Sequence, residues 1–465
     1  MPTVRERPQP FLLPQFCKGC GRCIESCAKH CITLAEGINP ETGLVPVVLD
    51  LEDCTACGLC IDACPEPYGL RETPPAGTFG LQDPEKLFGS RGSTAPKPVR
   101  IPDEVVPLPP LEPLVLKGNH ASAIGALLAG CRHVFGYPIT PSTEGAELMA
   151  KLLPGLDGVF LQAVSEVATV NMMYGCGGAG LPCMTFTSSP GFSLMLEGIS
   201  YMVGAEVPAV FVNVMRGGPG LGNIAPEQAD IKLACRGLGH GNTHGIVLAP
   251  STPQEMLDLT RLAFELSFRY RNPVVVLSDG YLGQMTGKVV LPPTMVKPGL
   301  PEWAVFGDAN HRANLINSIY LSEQDLENHN IRLNEKYRRM QAEQRADLFE
   351  CGDAEVLIVA CNTPARMAKG AVRALRHEGV KAGLFRPVTL WPFPIGKLEP
   401  LLTNAGRIVV VEASNGQLED ELRLALSHAG VSDHARIESI RHFGGMLPQQ
   451  GEIVSHVLAG REAAA

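Results

Sequence analysis

From Gly118 onward, short apolar runs alternate with stretches of helical spacing, such as Ala121, Ile124, Leu128 and Cys131. Apolar runs bounded by turn residues are typical of buried strands, and their alternation with helices is typical of a parallel sheet with crossover connections. The strands predicted in this way are 133–137, 159–161, 184–186, 209–214, 274–277, 356–360 and 407–411. The predicted fold class is therefore α/β, with functional residues just beyond the carboxyl ends of the strands.

A charged stretch interrupts this pattern before a second α/β unit, which begins near Ala354. The stretch is predicted to form two helices, 323–331 and 333–348, in a solvated connector to which we assign no chemistry. A further helix is predicted over 363–378, between the first two strands of the second unit.

Prolines mark a different segment nearer the N-terminus. Twelve prolines lie between Pro65 and Pro113. Proline removes a backbone donor and breaks helices, so neither a helix nor a central strand is expected here. The segment is predicted to be an extended linker.

Length and composition narrow the class of protein. A chain of 465 residues is long enough for about three domains. The hydrophobic fraction of 45% predicts sizeable cores, and the formal charge of −9 argues against nucleic acid as a partner. No apolar run is long enough for a membrane span, and the start MPTVRERPQP lacks the apolar core of a signal peptide. We therefore expect a cytoplasmic protein.

Two cysteine runs share the spacing C-x2-C-x2-C-x3-C, which is that of bacterial ferredoxins. Two intervening residues let the backbone curl around a cubane, so three close cysteines bind three corners and the fourth ligand comes from the other run. The spacing predicts two 4Fe-4S clusters. The first is assigned to Cys17, Cys20, Cys23 and Cys64, and the second to Cys54, Cys57, Cys60 and Cys27.

Zinc and disulfides explain the cysteines less well. Structural zinc needs about four ligands in two C-x2-C pairs, and a disulfide framework implies secretion. The first run departs from the usual pattern, because Ala28 replaces the common proline and Cys31 follows four residues after Cys27. Cys27 is the expected ligand, and Cys31 is its competitor.

Several polar segments follow predicted strands. GYPITPSTE (136–144) is predicted to be a rigid turn into a helix capped by Ser142 or Thr143, and in LQAVSEVATV Ser165 is the predicted N-cap before Glu166. Capping and the helix dipole suffice to explain both segments taken alone. TSSPGF (187–192) and VMRGGPGLGN (214–223) add Ser/Gly-rich loops, in which glycines let the backbone approach a ligand and an arginine can grip a carboxylate or phosphate.

Together these segments resemble a known family. YPITPSTE, SEVA, TSSPGFSLM, RGGPGLGN and FRPVTLWPFP (385–394) are similar to the α subunit of 2-oxoacid:ferredoxin oxidoreductases, thiamine-diphosphate enzymes that oxidatively decarboxylate 2-oxo acids onto coenzyme A. The resemblance implies a pyrimidine-type thiamine-diphosphate domain followed by a transketolase C-terminal-like domain. An N-terminal α+β bacterial-type ferredoxin domain precedes both in the sequence. Because the clusters usually occupy a separate δ subunit, the chain resembles a δ–α fusion.

The resemblance also implies roles for three residues. Glu166 matches the glutamate that hydrogen-bonds the aminopyrimidine ring and relays a proton through the cofactor. Thr140 matches a threonine that contacts the substrate, and Arg216 matches an arginine that pairs with the 2-oxo acid carboxylate.

One signature of thiamine-diphosphate proteins is missing. The nearest approximation to Gly-Asp-Gly is Ser278-Asp279-Gly280, and no asparagine pair follows it. The resemblance therefore implies that a β subunit supplies the half of the site that holds Mg²⁺ and the diphosphate. A γ subunit and an external ferredoxin are expected partners as well.

The loop after Arg216 bears on the substrate. It is small and apolar, with no second cation close in sequence for the distal carboxylate of 2-oxoglutarate. The segment GGPGLGNIAPEQAD (217–230) resembles the version in family members that act on branched-chain 2-oxo acids. The resemblance therefore implies 3-methyl-2-oxobutanoate as the preferred substrate, with 2-oxoglutarate as the alternative. The rivals are an indolepyruvate- or phenylglyoxylate-type enzyme and an electron-transfer scaffold that has lost catalysis.

These expectations divide the chain into five parts. Residues 1–70 are the predicted two-cluster ferredoxin domain and 71–115 the linker. Residues 116–295 are the predicted pyrimidine-type domain, 296–351 the helical connector, and 352–465 the transketolase C-terminal-like domain.

Overall fold

The structure is a computed structural model that describes residues 9–39, 42–66, 68–72, 98–431 and 436–462. The chain divides into two compact units, Met1–Ala95 and Pro96–Ala465. Most of the predicted proline-rich linker, residues 73–97, lies outside the described residues.

Two short helices, each opened by a glycine, organise the first unit. Gly21 (φ 75°) and Gly58 (φ 82°) occupy the left-handed region that side chains disfavour, and the helices Arg22–Ser26 and Leu59–Ala63 begin directly after them. Among the described residues of this unit, two antiparallel strand pairs accompany the helices, namely Phe11–Leu12 with Leu70–Arg71 and Ile32–Leu34 with Val47–Leu49, and a 3-10 turn forms at Pro14–Phe16.

A seven-stranded sheet forms the centre of the second unit. From edge to edge its strands are Thr389–Trp391, Ile246–Leu248, Pro273–Asp279, Ala209–Met215, Cys183–Thr187, His133–Gly136 and Val159–Gln162. Every pairing is parallel except the one made by Thr389–Trp391. The accompanying helices are Gly118–Leu128, Thr143–Leu152, Glu166–Gly178, Ser189–Gly204, Ile231–Arg236, Pro253–Tyr270 and Gly280–Gln284, with a 3-10 turn at Leu153–Leu156.

A second, five-stranded sheet is built from the C-terminal part. Its strands in order are Ala346–Phe349, Ala382–Pro387, Val356–Val359, Arg407–Glu412 and Arg436–Arg441. Its helices are Asn362–His377, Ile395–Leu398, Gln417–His428 and Gln450–Glu462, with a 3-10 turn at Glu399–Thr403. The α/β prediction is confirmed, and all seven predicted strands lie within two residues of observed ones.

The two sheets belong to one unit because a strand from the C-terminal part of the chain pairs at the edge of the first sheet. Thr389–Trp391 pairs with Ile246–Leu248, and the Trp391 ring stacks on His244 with centroids 4.7 Å apart. Between the sheets, the Asn362 side chain donates to the carbonyls of Pro250 (3.0 Å) and Leu277 (2.8 Å). Residues of both sheets share one hydrophobic core.

The charged stretch differs from its prediction. One continuous helix, Glu323–Met340, replaces the two predicted helices; after a 3-10 turn at Gln341–Glu343, Ala346–Phe349 is a strand. The helix is not simply solvated, because Leu333, Lys336 and Met340 are buried. The many charged residues in this stretch led to the prediction of a solvated connector, although one face of the helix is buried.

The end of the proline-rich segment also carries structure. Glu104–Pro107 pairs with Thr294–Lys297, and Leu114–Lys117 pairs with Thr286–Val289, both antiparallel. Two-stranded ribbons tolerate proline because one edge of each strand needs no donor. In the described part of the chain, no helix is both long and apolar enough to cross a membrane.

Candidate active site

Two cavities in the first unit are lined by cysteines. One cavity is lined by Cys17, Cys20, Cys23 and Cys64 among its residues. The other is lined by Cys27, Cys54, Cys57 and Cys60, together with Cys31. The fold therefore brings the cysteines of the two runs together in the crossed grouping predicted from their spacing.

The arrangement of four cysteines around each cavity is the one that a multi-iron cluster requires. Among the described residues, no three His, Cys, Asp or Glu side chains converge closely enough to hold one metal ion. Zinc holds its thiolates about 2.3 Å from one centre, whereas a cubane presents four separate irons and spreads its ligands around an open cavity.

Cys31 lies beside Cys27 in the second cavity. Its backbone N–H donates to the Cys27 sulfur at 3.4 Å, and its own thiol donates to the Lys29 carbonyl at 3.7 Å. Cys31 is 5% exposed and packs in the small core of the unit. Its thiol is thus engaged with the backbone, while the Cys27 sulfur accepts a bond that orients it.

Glu166 opens a helix directly after the edge strand Val159–Gln162. Ser165 caps this helix as predicted, its hydroxyl accepting from the Ala168 N–H at 3.2 Å. Glu166 is 5% exposed, and none of the described residues donates a hydrogen bond to its carboxylate. A carboxylate without a protein donor is free to accept a hydrogen bond from a ligand.

The neighbouring helix presents a glycine to this carboxylate at close range. Gly191 lies in the first turn of Ser189–Gly204, and a Cβ there would overlap the Thr187 hydroxyl and lie 2.6 Å from Glu166 Oε1. The Thr187 hydroxyl is buried and has no hydrogen-bond partner. An undonated carboxylate, an orphaned hydroxyl and a glycine surface fit a nitrogen-rich ring such as an aminopyrimidine.

Arg216 follows the central strand Ala209–Met215 and is 9% exposed. Its Nη1 donates to the Thr140 carbonyl (2.8 Å) and its Nη2 to the Leu221 carbonyl (3.1 Å), while its buried Nε has no partner. The structure thus brings Arg216 and Thr140 together, although through the Thr140 backbone. No carboxylate of the described residues forms an ion pair with Arg216, so its charge is available to an anionic ligand.

A buried carboxylate orders the backbone of Arg216. Asp230 accepts from the Ser189 hydroxyl (2.6 Å) and the Asn213 amide (2.9 Å), and burial raises the pKa of Asp230. The Ser189 oxygen in turn accepts from the Arg216 N–H at 3.1 Å. Because Ser189 and Gly191 share one helix turn, the start of this helix contacts both Arg216 and Glu166.

Asp279 lies in Ser278-Asp279-Gly280, the segment most similar to the missing Gly-Asp-Gly signature. Its carboxylate is fully hydrogen-bonded to groups of the same chain. Its carboxylate accepts from the N–H groups of Tyr281, Leu282 and Thr363 and from the Thr363 hydroxyl, at 2.8–3.1 Å. Asp279 is 1% exposed, and burial raises its pKa. A residue that caps a helix and fastens the second sheet in this way is not available to Mg²⁺.

A separate cavity of about 720 Å³ is not part of this site. Its lining includes Arg100, Arg261, Phe268 and Trp303, together with residues such as Pro182 that precede strands of the first sheet, so it lies near the amino ends of those strands. None of the predicted site residues lies in it.

Sequence reasoning missed the supporting residues. Ser189, Glu227 and Asp230 lie in the segments TSSPGF and GGPGLGNIAPEQAD, and their position beside the Gly-rich loop is the one signal that could have singled them out. The helix over 143–152 begins after Ser142, as predicted, but the Ser142 hydroxyl donates to the Ile139 carbonyl (2.8 Å) instead of capping.

The fold and the site define an α/β thiamine-diphosphate-binding enzyme subunit with an N-terminal iron–sulfur unit. The family model "Pyruvate flavodoxin/ferredoxin oxidoreductase, thiamine diP-bdg" matches residues 124–374. "Pyruvate:ferredoxin oxidoreductase core domain II" matches 354–453, and "4Fe-4S dicluster domain" matches 16–67. The chain belongs to the 2-oxoacid:ferredoxin oxidoreductase family.

Named relatives act on two different 2-oxo acids. The ketoisovalerate oxidoreductase subunit VorB of Methanothermobacter thermautotrophicus is 44% identical over 346 residues, which cover 74% of this chain and 96% of the relative. The 2-oxoglutarate synthase subunit KorA of Archaeoglobus fulgidus is 36% identical over 342 residues, covering 72% and 96%. A solved structure, 2-oxoglutarate:ferredoxin oxidoreductase from Magnetococcus marinus with 2-oxoglutarate, coenzyme A and succinyl-CoA bound, has a TM-score of 0.67 at 26% identity, over 75% of this chain and 65% of that one.

Proposed function

We propose that this chain is the fused δ–α subunit of an oxidoreductase that converts 3-methyl-2-oxobutanoate and other branched-chain 2-oxo acids, with coenzyme A, into acyl-CoA and carbon dioxide. Two electrons leave through two 4Fe-4S clusters to an external ferredoxin. The observation that carries the proposal is Glu166, a residue only 5% exposed whose carboxylate receives no hydrogen bond from the described residues.

Three residues have distinct roles in this proposal. Thiamine diphosphate, when bound, supplies the nucleophile for the 2-oxo carbon and accepts the electron pair that carbon dioxide leaves behind. Glu166 holds a proton against the aminopyrimidine ring nitrogen and returns it, which makes it the general acid/base of the site. Arg216 binds the substrate carboxylate through its guanidinium. Thr140 orients Arg216 through its carbonyl and contacts the substrate through its hydroxyl.

The chain supplies half of the cofactor site. Because Asp279 is bound by four donors from its own chain, a β subunit is proposed to bring the ligands of Mg²⁺ and the diphosphate. The isolated chain is therefore expected to be inactive.

The Gly-rich loop supports a branched-chain substrate. Residues 217–225 carry no charge, and Leu221 and Ile224 expose apolar side chains at its tip. The higher identity to the ketoisovalerate relative points in the same direction. The alternatives are 2-oxoglutarate, with its distal carboxylate bound by a partner's cation, an aromatic 2-oxo acid, and a scaffold without catalysis.

Anaerobic viologen reduction by the complex copurified with this chain tests the proposal. With coenzyme A present, 3-methyl-2-oxobutanoate is expected to give the highest kcat/KM. 2-Oxoglutarate and indolepyruvate are assayed separately as alternative substrates. Glu166→Gln is expected to lower the rate at least about 100-fold, because the amide cannot exchange the proton. The clusters should persist in this variant, as seen by electron paramagnetic resonance.

Exposed Glu147 gives the matched control, since Glu147→Gln removes a carboxylate from a neighbouring helix without touching Glu166. A preference for 2-oxoglutarate or indolepyruvate would reassign the substrate. Inactivity with every 2-oxo acid would favour the scaffold without catalysis. Full activity of Glu166→Gln would also favour it, because a chain that does not itself catalyse the reaction tolerates the loss of this carboxylate.

A further inference from the structure

The Gly-rich loop (217–225) is closed upon itself and holds the Arg216 side chain. Gly217 N–H donates to the Ala225 carbonyl (2.9 Å), and Asn223 N–H donates to the Gly217 carbonyl (3.1 Å). The Leu221 carbonyl in this loop accepts from Arg216 Nη2 at 3.1 Å. The position of the guanidinium therefore depends on the position of the loop.

Glu227 binds this loop with a buried carboxylate. One of its oxygens, Oε2, accepts from the Gly218 N–H at 3.0 Å and from the Gly444 N–H at 3.1 Å. Glu227 is 5% exposed and forms no ion pair with any described lysine, arginine or histidine. Burial raises the pKa of Glu227 although both backbone donors oppose the shift. A buried acidic side chain without a cation is a costly means of packing, which indicates a more specific role.

The other partner of Glu227 belongs to the C-terminal part of the chain. Gly444 follows the last strand of the five-stranded sheet, and its carbonyl accepts from the Asn223 amide at 3.0 Å. The Gly444 residue is thus bound at its N–H by Glu227 and at its carbonyl by Asn223. A Cβ on Gly445 would lie 2.5 Å from the Ala225 Cβ, so the two backbone segments are in close contact.

We propose that Glu227 is a positioning residue that fastens the Arg216 loop to the segment 442–446, so that the C-terminal sheet sets the geometry of the carboxylate-binding arginine. The inference rests on the proposed function of Arg216. It extends that function by naming the contact across which the second sheet acts on the first. Glu227 reaches only backbone groups, so its effect on substrate is exerted through the loop.

Kinetics of the copurified complex measure this effect. Glu227→Ala is expected to raise the KM for the 2-oxo acid by roughly tenfold, because two buried N–H groups lose their acceptor and release the loop. The kcat should change less, since carboxylate binding is shared by ground state and transition state. Glu227→Gln keeps an acceptor oxygen and is expected to recover most of the loss.

Limited trypsin digestion gives a readout that needs no activity. Trypsin cleaves after Arg216 only when the loop opens, so Glu227→Ala is expected to accelerate this cleavage by about tenfold. Glu452→Gln is the matched control. Glu452 binds the same segment through His442 Nε2 at 2.9 Å but does not touch the Gly-rich loop, and both readouts should stay at wild-type values.

The outcomes separate this inference from the proposed function. If Arg216→Ala leaves KM unchanged, the proposed function of Arg216 is wrong. If Arg216→Ala raises KM but Glu227→Ala changes neither KM nor cleavage, only the positioning role is wrong. Should Glu227→Ala fail to assemble, Asn223→Ala removes the companion bond and must raise KM and cleavage for the inference to hold.

Discussion

At the level of single residues, the buried acidic residues near the site differ in how many hydrogen bonds they receive from the chain. Asp230 and Asp279 receive all their hydrogen bonds from the chain itself, whereas Glu166 receives none from the described residues. Capping is local, so the placement of Glu166 after Ser165 was predictable. Whether a buried carboxylate is satisfied depends on neighbours that are distant in sequence, such as Thr187 and Gly191, and was not predictable.

The competition between Cys27 and Cys31 is also decided at this scale. Because the Cys31 thiol donates to the Lys29 carbonyl, we expect Cys27 to be the ligand. Cys27→Ala should lower the iron content of the anaerobically purified chain from about eight atoms towards four. Cys31→Ala should keep about eight.

Iron analysis together with electron paramagnetic resonance of the reduced protein checks this expectation. The two variants are matched, since each removes one thiol from the same cavity. The reverse pattern, with iron lost from Cys31→Ala alone, would assign Cys31 as the ligand.

At the element scale, the helix Glu323–Met340 shows how charge conceals burial. It contains charged residues on most turns, yet Lys336 is 2% exposed and its Nζ donates to Glu206 Oε2 (3.1 Å) and the Arg271 carbonyl (3.2 Å). Burial lowers the pKa of Lys336 from 10.5 to about 8, with Glu206 opposing the shift and Arg271 and Arg339 adding to it.

The lowered pKa predicts how stability depends on pH. Between about pH 8 and 10.5 the unfolded state keeps the lysine proton while the folded state loses it. The free energy of unfolding therefore increases as the pH rises through this window. Relative to Lys336→Met, the wild type should gain up to about 3 kcal/mol across this window and nothing below it.

Thermal unfolding of both proteins at a series of pH values measures this difference. Lys288→Met, which removes an exposed lysine, is the control and should show no such window. A constant difference between wild type and Lys336→Met from pH 7 to 10.5 would contradict the lowered pKa.

At the scale of the whole molecule, contacts between the two sheets engage a buried carboxylate, Asp279. Asp279 belongs to the first sheet, and Thr363 donates to it from the first helix of the second. This use of Asp279 explains why the chain is proposed to need a partner for Mg²⁺ and the diphosphate.

Asp279→Asn separates structure from metal binding. An asparagine has one acceptor oxygen for four converging donors, so the free energy of unfolding should fall by about 1–3 kcal/mol. The Mg²⁺ concentration for half-maximal activity of the complex should stay unchanged. Exposed Asp420→Asn is the control for stability, and a large rise in the Mg²⁺ requirement of Asp279→Asn would show that Asp279 serves the metal after all.

The α/β class, most central strands, the cysteine grouping and the capped position of Glu166 were predictable from the sequence, because they depend on periodicity, spacing and local hydrogen bonds. Three other features follow only from the folded structure: Thr389–Trp391 joins the first sheet, Glu323–Met340 is one half-buried helix, and Asp279 is engaged by Thr363. The contact of Glu227 with Gly444, which lie 217 residues apart, belongs with them. Such contacts depend on which surfaces meet after the chain has folded, and no local pattern encodes them.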